Sequence, residues 1–130
     1  METNELSQAV IGAAIEVHRV LGSGLLESAY EECLCRELTL RGISFERQRT
    51  LPIEYKGHHL DRGYRLDLLV EREIVLEPKT VEALLPIHSG QVLSYLRLGG
   101  WKLGLLINFH TPVLRQGIRR LVLGLEDKSQ

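Results

Sequence analysis

The chain predicts a small α+β domain, and three observations carry that prediction. Its first third repeats apolar residues at helical spacing, its middle alternates apolar with polar residues, and a later run, Trp101 to Phe109, is apolar at nearly every position. With 130 residues, 44% hydrophobic and 25% charged, there is room for one hydrophobic core, so a single domain over residues 1–130 is expected.

The elements follow in order. From Asn4 to Leu21, apolar side chains at Leu6, Val10, Ala13, Ala14, Val17 and Leu21 line one side of a helix, which Gly22 stops. A second helix is expected from Leu25 to Arg41, with Leu26, Ala29, Tyr30, Cys33, Leu34 and Leu38 inward and Gly42 closing it. After Phe45, Leu51, Ile53 and Tyr55 alternate with Thr50, Pro52 and Glu54, which predicts a strand entering a hairpin at Lys56-Gly57-His58. The runs Leu60 to Val70 and Ile74 to Lys79 flank the polar trio Glu71-Arg72-Glu73, a tight-turn length, giving three antiparallel strands. Helical spacing returns from Pro86 to Leu98, with Ile87, Val92, Tyr95 and Leu96 inward and Gly99-Gly100 at its end. Trp101 to Phe109 reads as a strand buried on both faces, Ile118 to Leu123 as a last short strand, and Glu126 to Gln130 as a polar tail.

Composition narrows the classes of function. Sixteen basic against seventeen acidic residues give a formal charge of −1, so no net positive field pulls the whole molecule onto a polyanion. No basic, apolar leader opens the chain, and no apolar run reaches the ~20 residues that cross a bilayer. Cys33 and Cys35 sit two apart in a predicted helix and point to roughly opposite sides, so neither a disulfide nor a shared metal is expected; a cytoplasmic protein with no membrane partner fits.

One constellation carries chemistry. If Glu71 to Glu73 form the turn, Val70 pairs with Ile74 and the ladder runs back until Asp67 faces Glu77, with Cβ atoms ~5 Å apart. Lys79, two residues beyond Glu77, points to the same face. Two opposed carboxylates flanked by apolar Leu69 and Val75 repel each other where water is scarce, so a positive partner is required. Lys79 supplies one charge, and an all-oxygen pair also suits a hard divalent cation such as Mg²⁺. Such a cation lowers the pKa of a bound water, which a lysine can orient for in-line attack on phosphorus.

Asp67, then Glu77-Pro78-Lys79 on consecutive strands, then Gln91-x-x-x-Tyr95 on a helix, resembles the signature of the PD-(D/E)XK nuclease superfamily. Gly24-Leu25-Leu26-Glu27-Ser28-Ala29-Tyr30 is similar to the motif that names the GxxExxY proteins, a family assigned to that superfamily. The stretches Pro52 to Lys56, Gly63 to Val70, Pro86 to Leu96 and Leu103 to Phe109 extend the likeness over most of the chain. The resemblance implies a central mixed sheet flanked by helices, with Glu27, Asp67 and Glu77 as ligands of Mg²⁺ or Mn²⁺. It also implies Lys79 on the attacking water and Gln91 and Tyr95 facing the site as further catalytic residues. The activity implied is cleavage of nucleic acid, DNA before RNA. The alternative is a nuclease-fold module without turnover, binding nucleic acid or protein within a larger assembly or as a homo-oligomer. Pro78 departs from the superfamily pattern, which usually has an aliphatic residue there, and proline cannot donate to a ladder.

Plainer readings stand beside these. Asp67 and Glu77 could form an ion-pair patch with Arg65 and Lys79. Glu27 could cap its own helix, with Gly24 as N-cap, and Gly22-Ser23-Gly24 could be a helix stop followed by a helix start. His88, three residues before Gln91, is either an accessory ligand or a turn residue. His18, His58, His59 and His110 lack zinc spacing. Arg41, Arg47, Arg49, Arg115, Arg119 and Arg120 are either a phosphate-facing rim or a scattered solvated surface.

Overall fold

Both N-terminal periodicities become helices that cover one face of a mixed sheet in the computed structural model, which describes residues 1–60 and 63–124. Helix α1 spans Thr3–Leu21 and buries Leu6, Val10, Ala13, Ala14 and Val17; Gly22, at φ 78°, ends it by donating its amide to the His18 carbonyl. Helix α2 spans Glu27–Leu40 and buries Tyr30, Leu34, Cys35 and Leu38. It begins later than its apolar pattern suggests. Leu26 is the N-cap and is exposed, because the chain is still extended there and the helical face starts one residue on.

The strands are β1 (Phe45–Leu51), β2 (Glu54–Tyr55), β3 (His58–His59), β4 (Tyr64–Val70), β5 (Ile74–Lys79), β6 (Leu103–Asn108) and β7 (Ile118–Val122). Helix α3, Pro86–Gly99, connects β5 to β6, and a short 3₁₀ turn at Leu114–Gly117 precedes β7. The main sheet runs β1-β4-β5-β6-β7. β5 and β6 are parallel and the other neighbours antiparallel, so the sheet is mixed, and α3 is the crossover that a parallel pair requires.

The strand expected to run through Leu51 to Tyr55 is divided instead. Pro52 has no N–H to offer a ladder, so β1 ends at Leu51, and β2 and β3 pair only with each other. The start of the expected Leu60 to Val70 strand also moves: the Leu60 amide donates to the Ile53 carbonyl beside the small hairpin, residues 61–62 lie outside the described residues, and β4 starts at Tyr64. The expected tail Glu126 to Gln130 lies outside them too.

Apolar side chains divide between the two faces. Leu68, Val70, Ile74, Leu76, Leu103, Leu105 and Ile107 pack under α1 and α2, whereas Leu51, Leu66, Leu69, Val75 and Leu106 pack with Val92, Tyr95 and Leu96 of α3. All of β6 is buried, as expected of a strand covered on both sides. Gly104 of β6 lets α3 come close, since a Cβ there would lie 2.6 Å from Val92 Cγ1. Ile87, expected inward, is 72% exposed: it lies in the first turn of α3, which reaches the sheet only from Val92 onward.

Tyr30 ties this packing to the loop ahead of α2. Its ring stacks on Phe109 with centroids 4.5 Å apart. Its hydroxyl accepts from the Leu25 amide at 3.1 Å and donates to the Gly22 carbonyl at 2.6 Å. Tyr30→Phe keeps the stack and removes both bonds, so it should cost about 1–2 kcal/mol, read as a lower denaturation midpoint with unchanged slope. An unchanged midpoint would mean the hydroxyl does not hold the loop.

Candidate active site

The β4–β5 hairpin places two carboxyls together. Glu71 and Arg72 form its turn at φ 51° and 57°, a left-handed conformation unfavourable for residues with a Cβ. Ser44 compensates: its carbonyl accepts the Glu71 amide at 2.9 Å, and its amide and hydroxyl donate to the Glu71 carboxylate at 3.0 and 2.9 Å. Those bonds hold Glu71 below the usual carboxylate pKa. The register is then Val70 to Ile74, Leu69 to Val75 and Leu68 to Leu76. At the next position the Asp67 amide donates to Glu77 Oε1, at 3.1 Å.

Glu77 is 3% exposed. Burial first, then the neighbouring Asp67 carboxyl, pushes its pKa up to about 9, against the smaller opposing pull of the Asp67 amide and Lys79. At neutral pH Glu77 therefore carries a proton.

The side-chain alternation of β4 breaks where Asp67 sits. Leu69 packs on the α3 side and Leu68 and Val70 on the other, but Leu66 returns to the α3 side, so the strict alternation of a strand fails between Leu66 and Leu68. Across the sheet, β1 pairs Arg47 with Leu68 and Arg49 with Leu66, and Gln48 between them sits at φ 53°. The Gln48 amide nitrogen reaches Asp67 Oδ1 at 3.3 Å and both carboxylate oxygens of Glu31, on α2, at 3.1 and 3.2 Å. Arg47 Nε completes the group with a 2.7 Å ion pair to Glu31.

Glu27, the first residue of α2, is half-buried. Burial raises its pKa, with Asp67 and Glu31 adding to the rise and Lys79 and the Thr80 amide opposing it. Leu26, not Gly24, is the N-cap, so Glu27 is not placed to bond back to a cap three residues earlier. Its surroundings are the acidic pair and Lys79. Pro78 stands opposite Ile107 of β6, past the last β4–β5 pair at Leu68 and Leu76, so its missing N–H falls where that ladder has already ended.

Beyond Lys79 the chain is held by Asn108, 2% exposed at the end of β6. Its side chain donates to the Val81 carbonyl at 2.8 Å and accepts the Val81 and His110 amides at 3.1 Å each, while the Phe109 amide donates to the Lys79 carbonyl at 2.8 Å. From α3, buried Tyr95 approaches the pair. Burial first, and then the charges of Glu77 and Asp67, raise its pKa, and a hydrogen bond with Gln91 works the other way. Gln91 and Tyr95 also line, with Ile53, Tyr64, Ser94 and Leu98, a cavity of about 260 Å³.

Asp67, Glu77, Lys79, Glu27 and Tyr95 are thus electrostatically coupled, with Gln91 beside Tyr95. His88 is elsewhere occupied: its Nδ1 accepts the Leu85 amide at 2.9 Å and caps α3. Among the described residues, five of the six arginines expected as a rim, all but Arg115, have partners of their own. Arg41 pairs with Glu37, Arg47 with Glu31 and Arg49 with Glu46, Arg119 donates to the Gln116 and Ile118 carbonyls, and Arg120 donates to Asn4. Sequence reasoning missed Glu31, Gln48 and Asn108. A polar Asn closing an otherwise apolar strand was a visible signal for Asn108; nothing in the sequence marks Gln48. Among the described residues, no three His, Cys, Asp or Glu side chains form a group that could hold a metal as they stand.

A mixed sheet whose central hairpin brings Asp67 and Glu77 together, with Lys79 at the end of the second strand and helices on both faces, has the fold of the PD-(D/E)XK nuclease superfamily. The chain belongs to that superfamily: the model of the PD-(D/E)XK nuclease superfamily matches residues 4–121. No curated protein and no solved structure matches the chain. No helix among the described residues is long and apolar enough to cross a membrane.

Proposed function

We propose that this protein is a divalent-metal-dependent phosphodiesterase of the GxxExxY kind that cleaves nucleic acid, DNA in preference to RNA. The observation that carries the reading is the acidic pair itself: a carboxyl buried to 3% exposure and raised to about 9, bonded to a second carboxyl's backbone and next to a lysine. A pair that must hold a proton when empty suits a cation, which can take the proton's place. Asp67 and Glu77 would hold it, with Glu27 as a third ligand, and Mg²⁺ or Mn²⁺ are the ions that one or two carboxylates and retained waters suit.

Such a cation, when bound, supplies positive charge to the phosphate and lowers the pKa of a coordinated water. The other steps belong to the chain's own residues. The Lys79 ammonium, felt by Glu27 and Glu77, orients the attacking water and offsets the charge developing on the phosphate. The Tyr95 hydroxyl, kept protonated by burial and by the acidic pair, donates toward the phosphate, and Gln91 orients it. Tyr64, half-exposed and 6.4 Å from Tyr95 between ring centroids, offers an aromatic face in the adjoining cavity for a base flanking the scissile phosphate. Free thiols at Cys33 and Cys35 fit a reducing cytoplasm.

A second reading is favoured by the lack of a ready group of three metal ligands among the described residues and by arginines committed to internal partners: a nuclease-fold module that binds nucleic acid or protein without cleaving. The two are separated by incubating wild type and Glu77→Ala with Mg²⁺ or Mn²⁺ and labelled single- and double-stranded DNA and RNA. Metal-dependent products from wild type alone, most from DNA, are expected. No cleavage of any of these above the Glu77→Ala background would overturn the enzyme reading and leave the module.

A further inference from the structure

We propose that Gln48 is a positioning residue for Asp67, a strap on β1 anchored to Glu31 of α2 that sets which way the carboxylate faces and leaves its other oxygen for a cation. The inference rests on the nuclease reading above and concerns a residue outside the superfamily signature. Gln48 is held at φ 53° in the middle of β1, a conformation that strands do not use and that costs a residue with a Cβ. Nothing in the local sequence, Glu46-Arg47-Gln48-Arg49-Thr50, asks for a turn there, and the register on either side is unbroken, Arg47 with Leu68 and Arg49 with Leu66. The strain persists because the surroundings hold it.

What holds it is the amide. Its nitrogen bonds both oxygens of Glu31, at 3.1 and 3.2 Å, and Asp67 Oδ1, at 3.3 Å. Turning the amide over would set its oxygen against two carboxylates, so only the nitrogen fits between them. Glu31 is itself buried to 7% exposure and neutralised by Arg47, which makes it a fixed anchor on α2. The chain of contacts therefore runs from a buried, charge-paired helix residue through a strained strand residue to the carboxylate of Asp67 on β4. A bond donated to Oδ1 restricts the rotation of the Asp67 side chain, the task of groups that sit behind a metal ligand.

Gln48→Gly tests this because it separates the fold from the site. Glycine accepts φ 53° without penalty, which offsets the loss of the bonds to Glu31, so the metal-free protein should melt close to wild type. Loss of the strap should weaken Mn²⁺ binding, measured by calorimetry, by about 10-fold and slow cleavage to a similar degree, the scale typical of groups behind a metal ligand. Gln48→Asn, which also tolerates a left-handed conformation but is one methylene shorter, should behave like glycine. A variant that melts lower and loses activity only in proportion to unfolding would assign Gln48 to the fold and overturn the proposal. So would a Gln48→Gly protein that binds Mn²⁺ and cleaves as wild type does. If wild type itself neither binds Mn²⁺ nor cleaves, the nuclease reading fails first and takes this inference with it, a result seen in wild type before any variant is compared.

Discussion

Lys79→Ala is expected to lower phosphodiester cleavage by about 100-fold or more while leaving Mn²⁺ binding within a few-fold of wild type. The physical reason is that the ammonium matters most where charge develops. In the resting site its attraction to Glu77 is the smallest of the influences on that group, behind burial, the Asp67 carboxyl and the Asp67 amide. A side chain at the end of β5 whose pull on Glu77 is small, and whose backbone is bonded through its carbonyl to the Phe109 amide, can be removed without disturbing that backbone anchor. Single-turnover kinetics at saturating Mn²⁺, alongside calorimetry, read the two quantities separately. Equal losses of binding and cleavage would make Lys79 part of the metal site's framework and remove its assigned role in the chemical step.

The second large effect is a stability difference that opens as pH rises. Glu77 has a folded-state pKa of about 9 against an ordinary 4.5, so between those values the folded protein holds a proton that the unfolded chain has released. Its contribution is fully present below about 4.5 and is lost progressively as pH rises toward about 9. Glu77→Gln keeps the shape of the protonated acid without the titration. The metal-free variant should therefore match wild type near the acid end and be the more stable of the two at pH 8, measured by denaturant unfolding across the range. Mn²⁺ should reverse the order at pH 8, stabilising wild type and not the variant, because the cation takes the place of the proton that Gln cannot release. In wild type that exchange predicts proton release on binding, seen as a dependence of calorimetric heat on the buffer used. Parallel stability profiles for the two metal-free proteins would show that Glu77 ionises normally and would remove the electrostatic basis of the site.

That Asp67 and Glu77 would meet was legible from the chain because it needs only local rules. A polar trio of turn length sets a register, and the register sets which residues meet; the observed pairs Val70 to Ile74 and Leu68 to Leu76 are those that rule produces. The same is true of α1, whose apolar spacing and terminal glycine define it without reference to any partner. Where local rules met competition they gave way. Alternation from Leu51 to Tyr55 predicted one strand, but Pro52 removed the donor that would have continued it. Glu27 could be read as a cap from its spacing to Gly24, yet α2 begins at Glu27 itself, because packing of Tyr30 against Phe109 and its bonds to Gly22 and Leu25 keep the preceding loop extended.

By itself, the sequence determined the helices, the hairpin and the meeting of its two acidic residues, since periodicity, turn length and strand parity act over a few residues. Only the tertiary structure decided what those residues experience. The proton on Glu77 comes from burial within the fold and from Asp67 beside it. The orientation of Asp67 comes from Gln48 and Glu31, nineteen residues away in the chain at the nearer of the two. The commitment of Arg47 to Glu31 comes from α2 presenting a carboxylate to β1. Charge state and side-chain direction depend on neighbours brought together from distant parts of the chain, and no local pattern encodes a neighbour that only folding supplies.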